Sequence, residues 1–125
     1  MNTRRALLSG GVLLAFSISA QAASMAFMND TILSSIPKKD RAEFRAAVTQ
    51  TLESEPDGAT TTWTGSKPRV GYPVSVKMTV KRTVETQKAS KCRYLDSVVS
   101  QGSSSEDWAF WFCKQESGQW KASRN

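Results

Sequence analysis

A strict two-residue alternation constrains this chain more than any other feature. Val74, Val76, Met78, Val80 and Val84 fall on one side, and Ser75, Lys77, Thr79, Lys81, Thr83 and Glu85 on the other. Successive side chains of a strand point to opposite faces of its sheet, so this run is a half-buried antiparallel strand with one wet face. Its apolar row must be covered by another layer. The cover lies upstream, where Phe44, Ala47, Val48, Thr51 and Leu52 recur at three- and four-residue steps while Lys39, Glu43, Arg45 and Gln50 face water. That spacing predicts one amphipathic helix, Pro37 to Leu52. Ser35 reads as its cap, with Pro37 tolerated in the first turn, and Pro56-Asp57-Gly58 ends it.

The rest of the chain reads as strand. Thr60 to Thr64 is β-branched around Trp63 and is followed by a loop from Gly65 to Gly71. Lys91 to Val99 and Trp108 to Lys114 are further strands joined by a polar loop, Ser100 to Asp107, and Gln119 to Ala122 is a short last strand. The expected fold class is therefore α+β: one amphipathic helix packed on a four- to five-stranded antiparallel meander, stapled by one disulfide. The staple is Cys92 to Cys113. Placed opposite one another in adjacent strands, these residues set a register that also pairs Tyr94 with Trp111 and Leu95 with Phe110. Closing a loop of about 20 residues contributes roughly 3 kcal/mol in the chain-entropy account.

A disulfide needs an oxidising compartment, and the N-terminus supplies a route to one. Arg4 and Arg5, the apolar run Ala6 to Ala20 and the small-x-small site Ala20-Gln21-Ala22 are the parts of a secretory signal peptide, expected over residues 1–22. The apolar run, broken by Gly10-Gly11, is shorter than the roughly 20 residues a bilayer span requires. Both the general secretory and the twin-arginine routes fit. Residues 23–36, with Met25, Phe27, Met28, Ile32 and Leu33, are expected to form an N-terminal arm packing on the domain, and residues 37–125 the domain itself. No transmembrane segment is expected once the leader is removed, and the expected location is the periplasm, the cell envelope or the exterior of a Gram-negative bacterium.

Composition then removes whole chemistries. With no His, a Ser/His or Cys/His nucleophile pair and an imidazole metal site are both excluded. The string Glu53-x-Glu55-x-Asp57-Gly58 imitates the first half of a calcium loop, but Thr64 stands where a bidentate Glu is needed. Ser35-x-x-Lys38 matches an acyl-enzyme string without its companion motifs. Asp96, Glu106 and Asp107 could converge as a carboxylate pair for glycoside hydrolysis, though nothing in their spacing requires it. No catalytic residue, metal or cofactor is assigned.

What stands out instead is charge and aromatic surface. The net charge is +6, and from Lys67 to Arg93 every charged residue except Glu85 is basic. Outside the cytoplasm the available polyanions are lipid headgroups, lipopolysaccharide phosphates and wall polymers rather than nucleic acid. Basic residues on a solvated strand also discourage edge pairing, which is the bland account of the same stripe. Trp108-Ala109-Phe110-Trp111-Phe112 is apolar on both faces of its strand, and one helix covers only one face. Either the sheet curls over its second aromatic row, or that row meets a partner. The candidate binding surface is Lys77, Lys81, Arg93, Tyr94 and Trp111, presented to a sugar polymer or a protein.

The stretch Asp40 to Trp120 resembles the surface-antigen domain family, typified by the C-terminal domain of the rickettsial seventeen-kilodalton outer-membrane antigen. The resemblance rests on a helix ending in Leu52, Pro56-Asp57-Gly58, Trp63 in the first strand, Gly71, Cys92-Arg93, and Cys113 followed by Gly118-x-Trp120. It implies a small exported β-rich domain with an internal disulfide and no established catalytic residues. The lipidated cysteine and glycine-rich segment common in that family have no counterpart in this sequence, and the loop Gly65 to Val70 lacks the family's Asn and spaced Gly. The expected function is that of an exported, non-enzymatic envelope protein binding an envelope polymer or protein. The competing expectation is a periplasmic inhibitor or immunity-type protein that blocks a hydrolase, with a wall-active enzyme third.

Overall fold

The computed structural model describes residues 31–87 and 91–123; the leader expected over residues 1–22 and the first part of the arm lie outside them. Five strands pair in chain order as one antiparallel meander: β1 (Thr60–Thr64), β2 (Ser75–Val84), β3 (Cys92–Gln101), β4 (Ser104–Lys114) and β5 (Trp120–Ser123). One helix, α1 (Arg41–Ser54), packs on one face. Leu33, Ile36, Phe44 and Leu52 from the N-terminal part meet Trp63, Val76, Met78, Val80, Leu95, Val99 and Phe112 from the sheet. Trp63 closes this core: its ring tilts against Phe44 at 5.1 Å between centroids, and its indole N–H donates to Glu43 Oε1 at 3.1 Å.

The helix begins later than its periodicity predicts. Ser35 caps nothing; it closes a 3-10 turn, Ile32–Ser35, whose own cap is the Thr31 hydroxyl accepting from the Leu33 N–H at 3.0 Å. A residue before proline is pushed out of the helical region, and Ile36 is accordingly extended, with ψ 124° and its side chain buried. After a second 3-10 turn, Lys38–Asp40, α1 runs two residues past Leu52. Asp40, at its start, does not cap the helix either. Its carboxylate turns to the loop after β1, accepting the Ser66 N–H and hydroxyl, each at 2.9 Å.

Two corrections concern the sheet. The polar stretch Ser100 to Asp107 is not a loop. It extends the β3–β4 hairpin to a two-residue turn at Gly102-Ser103, with Gln101 opposite Ser104 and Val99 opposite Glu106. Gly102 adopts φ +62°, the left-handed conformation such a turn needs and a side chain resists. The second correction is a bulge. The β2–β3 register shifts between Val80 and Arg82, so one extra residue, Lys81, intervenes and the alternation reverses. Val84, expected on the inner row, is outside and 43% exposed, while Thr83 turns inward opposite Arg93.

Of the carboxylates that tie the helical layer to the sheet, three are held below the ordinary carboxylate range. Asp40 is lowered chiefly by the Ser66 N–H. Glu53 is lowered by Lys114 and then by the Trp120 indole, and Asp57 by the Thr83 hydroxyl and then by Arg93. A carboxylate whose pKa is depressed by folding adds stability that is complete above its unfolded pKa, near 4, and is lost as pH falls through the folded value. Thermal melts should therefore be insensitive to pH from neutrality to about 5 and fall steeply below about 4. Asp57→Asn should flatten part of that acid limb.

Candidate binding surface

The cysteine pair fixes where the surface lies. Cys92 and Cys113 are bonded across β3 and β4 with Cα atoms 4.0 Å apart. The neighbouring Lys114 N–H donates to the Lys91 carbonyl at 2.8 Å, so the cysteines occupy the next, non-hydrogen-bonded site, where facing side chains come closest. Two residues further along the same face are Tyr94 and Trp111, in the register the sequence predicts. Their rings tilt together at 5.1 Å between centroids. The Arg82 guanidinium lies over the Trp111 ring at 5.6 Å, a cation–π distance, and is supplied by the parity reversal at Lys81.

This face is the one α1 does not cover. Both Tyr94 and Trp111 remain half-buried there. Lys77, Lys81 and Arg82 are exposed along β2. Val98, 39% exposed, and Ala109 give the surface an apolar floor, while Asp96 and Asp107 dilute its positive charge.

Arg93, grouped by the sequence with this surface, belongs to the opposite face. It is 6% exposed and points from β3 under the end of α1. Its Nη1 donates to the carbonyls of Leu52 (2.6 Å) and Thr51 (3.5 Å), and its Nη2 to the Glu55 carbonyl (2.6 Å) and Asp57 Oδ1 (3.0 Å). The Nε–H donates to the Thr83 hydroxyl at 2.9 Å, which itself donates to Asp57. A helix leaves its last carbonyls unpaired at the negative end of its dipole, and a planar cation with five donors satisfies them. Arg93 is a structural clamp, already fully committed.

Sequence reasoning missed Arg82. An arginine at a position that strict alternation assigns to the core is a misfit, and that misfit was the available sign of a bulge. The carboxylates do not converge. Asp96 and Asp107 are on the outer face, whereas Glu106 turns inward and accepts from the Ile32 N–H at 3.0 Å and the Trp108 indole at 3.3 Å. Among the described residues no cluster of three or more acidic or cysteine side chains could hold a metal ion, and no helix is long and apolar enough to cross a membrane.

Fold and surface together define a class: a disulfide-stapled α+β domain with one helix-covered face and one aromatic, partly basic face. Compared with family models, curated proteins and solved structures, the chain has no match.

Proposed function

We propose that the chain is an exported, non-enzymatic envelope protein that binds an anionic envelope polymer through the outer face of its sheet. The observation that carries this reading is the Tyr94–Trp111 ring pair with Arg82 over the indole, set beside the disulfide on the uncovered face. An indole face offers apolar contact to the C–H face of a sugar ring. Arg82, Lys77 and Lys81 supply charge to neighbouring phosphates or carboxylates. The disulfide, the leader-like N-terminus and the resemblance to surface-antigen domains support export.

The test is sedimentation of the full chain, recovered from an oxidising compartment, with purified lipopolysaccharide or peptidoglycan. Trp111→Ala should weaken binding about tenfold, the scale of one desolvated aromatic contact, with a stability loss of about 1 kcal/mol or less. Lys77→Ala with Lys81→Ala should weaken it and flatten its decline with added salt, because contacts between exposed charges are screened. Absence of sedimentation, or sedimentation unaffected by Trp111→Ala, would defeat the polymer reading. Recovery of a hydrolase crosslinked at the same face would replace it with the inhibitor reading.

A further inference from the structure

Among the described residues, the two large apolar side chains most exposed to water sit in one loop. Val70 is 90% exposed and Tyr72 65%, and both belong to the connection between β1 and β2. The loop is held out from the domain rather than folded back on it. At its base the Gly65 N–H donates to the Val74 carbonyl at 2.9 Å, and the Ser66 N–H and hydroxyl donate to Asp40. On its far side the Gln101 side-chain amide donates to the Tyr72 carbonyl at 3.1 Å. The Tyr72 ring lies so close to Gly102 that a Cβ there would meet its Cδ2 at 2.6 Å. Gly71, at φ +97°, turns the chain between the two apolar residues. Both ends of the loop are fixed, and its tip stays in water.

The charge around this tip has one sign. Lys67 and Arg69 are exposed in the loop itself, and Lys38 and Lys39 are exposed on the turn that leads into Asp40. No Asp or Glu occurs between Gly65 and Val74, or in the hairpin end from Ser100 to Ser105 that faces the loop. Asp40, the carboxylate that bonds the loop, is buried and committed to Ser66.

We propose that this loop tip docks on an anionic phospholipid bilayer, with Val70 and Tyr72 entering the interface and Lys67 and Arg69 meeting headgroup phosphates. A tyrosine suits that depth, since its ring is apolar and its hydroxyl stays wet. Each cation held near an anionic surface adds attraction, and apolar insertion and charge act together in interfacial binding. A protein partner fits less well, because a few residues at a loop tip are a small part of the roughly 800 Å² that each side gives to a standard interface. The Gly102-Ser103 turn beside the loop and the disulfide close opposite ends of the β3–β4 hairpin. A chain docked by this tip therefore keeps Tyr94 and Trp111, next to the disulfide, clear of the lipid.

Both native cysteines are in the disulfide and no thiol is free, so Val70→Cys places a nitrobenzoxadiazole dye at the tip alone. With the full chain and vesicles of phosphatidylglycerol and phosphatidylethanolamine, the dye emission should brighten and move to the blue. It should not respond to phosphatidylcholine vesicles. The same dye on Glu116→Cys, exposed between β4 and β5 at the disulfide end, should stay in water. In co-sedimentation with the anionic vesicles, Lys67→Ala with Arg69→Ala should weaken partitioning on the order of thirtyfold. Val70→Asp, at a site too exposed to disturb folding, should weaken it about tenfold. A tip dye that stays in water while the chain sediments would overturn the proposal, since another segment would then hold the chain. An equal response to phosphatidylcholine, or no vesicle binding, would overturn it as well. A blue shift produced only by lipid-free envelope protein would make the tip a protein-docking site instead. Trp111→Ala should leave vesicle binding unchanged, and the loop variants should leave polymer binding unchanged, so the two proposals fail separately.

Discussion

Arg93→Ala should lower stability by about 2–4 kcal/mol, chiefly the cost of leaving buried carbonyls at the end of α1 without donors, since its carboxylate partner Asp57 is half exposed. The loss has identifiable parts. The carbonyls of Leu52 and Glu55 lose the Arg93 donors at the end of α1, the Thr51 carbonyl keeps only the Glu55 N–H, and Asp57 loses its cationic partner. Deleted donors leave buried acceptors unsatisfied, which costs more than the bonds themselves contributed. For a domain whose total stability is of the order of 5–15 kcal/mol, that loss is a large share of the whole. Arg93→Lys should recover only part of the loss, because an ammonium has three donors and no planar fork to span carbonyls and carboxylate together. Urea unfolding of the three proteins measures both steps. Wild-type stability in Arg93→Ala would show that the Arg93 bonds add nothing to what holds α1 in place.

Removing the disulfide is the second large effect. Cys92→Ala with Cys113→Ala opens a loop of sequence separation 21, and the chain-entropy account gives about 3 kcal/mol for its closure. On a domain of about 100 residues that corresponds to a fall in Tm on the order of 15 °C. The bond joins the open end of the hairpin whose other end is the Gly102-Ser103 turn, so both ends of the β3–β4 register are fixed in the native protein. Its loss should loosen the pairing next to it first, which is where Tyr94 and Trp111 face each other. Reductant added to the native protein should reproduce both the lower Tm and weaker polymer binding; native Tm after complete reduction would refute the staple.

How far the sequence reveals this depends on which signals are local. The β3–β4 register could be read because independent pairings agreed: two cysteines, two outer aromatics and two core residues all met at one offset. The length of that hairpin could not, because Ser100 to Asp107 carries no apolar alternation, and its pairing rests on backbone bonds that any polar residue can make. The helix start was misplaced because Ser35 and Pro37 are good N-terminal signals, yet the tertiary demand to bury Ile36 and to join Asp40 to Ser66 outweighed them. Arg93 was assigned to the wrong face's chemistry for a related reason. Apart from Thr83, ten residues away, its partners lie 36 to 42 residues away in sequence, and no spacing rule connects a strand arginine to the end of a helix. Tyr94 and Trp111 were legible as a pair, but the cation beside them is placed by the bulge at Lys81, where the period breaks.

The central claim is that recognition occurs on the outer face, and the chain's tryptophans report on it directly. Of its four indoles, Trp111 lies on that face, whereas Trp63 is in the core and Trp108 and Trp120 pack against it. In a nitrogen-15 correlation spectrum of the full chain titrated with soluble fragments of the envelope polymer, the account predicts that the Trp111 indole signal shifts or broadens with added ligand while the other three stay in place. Movement of the Trp108 and Trp120 signals with Trp111 unchanged would contradict it.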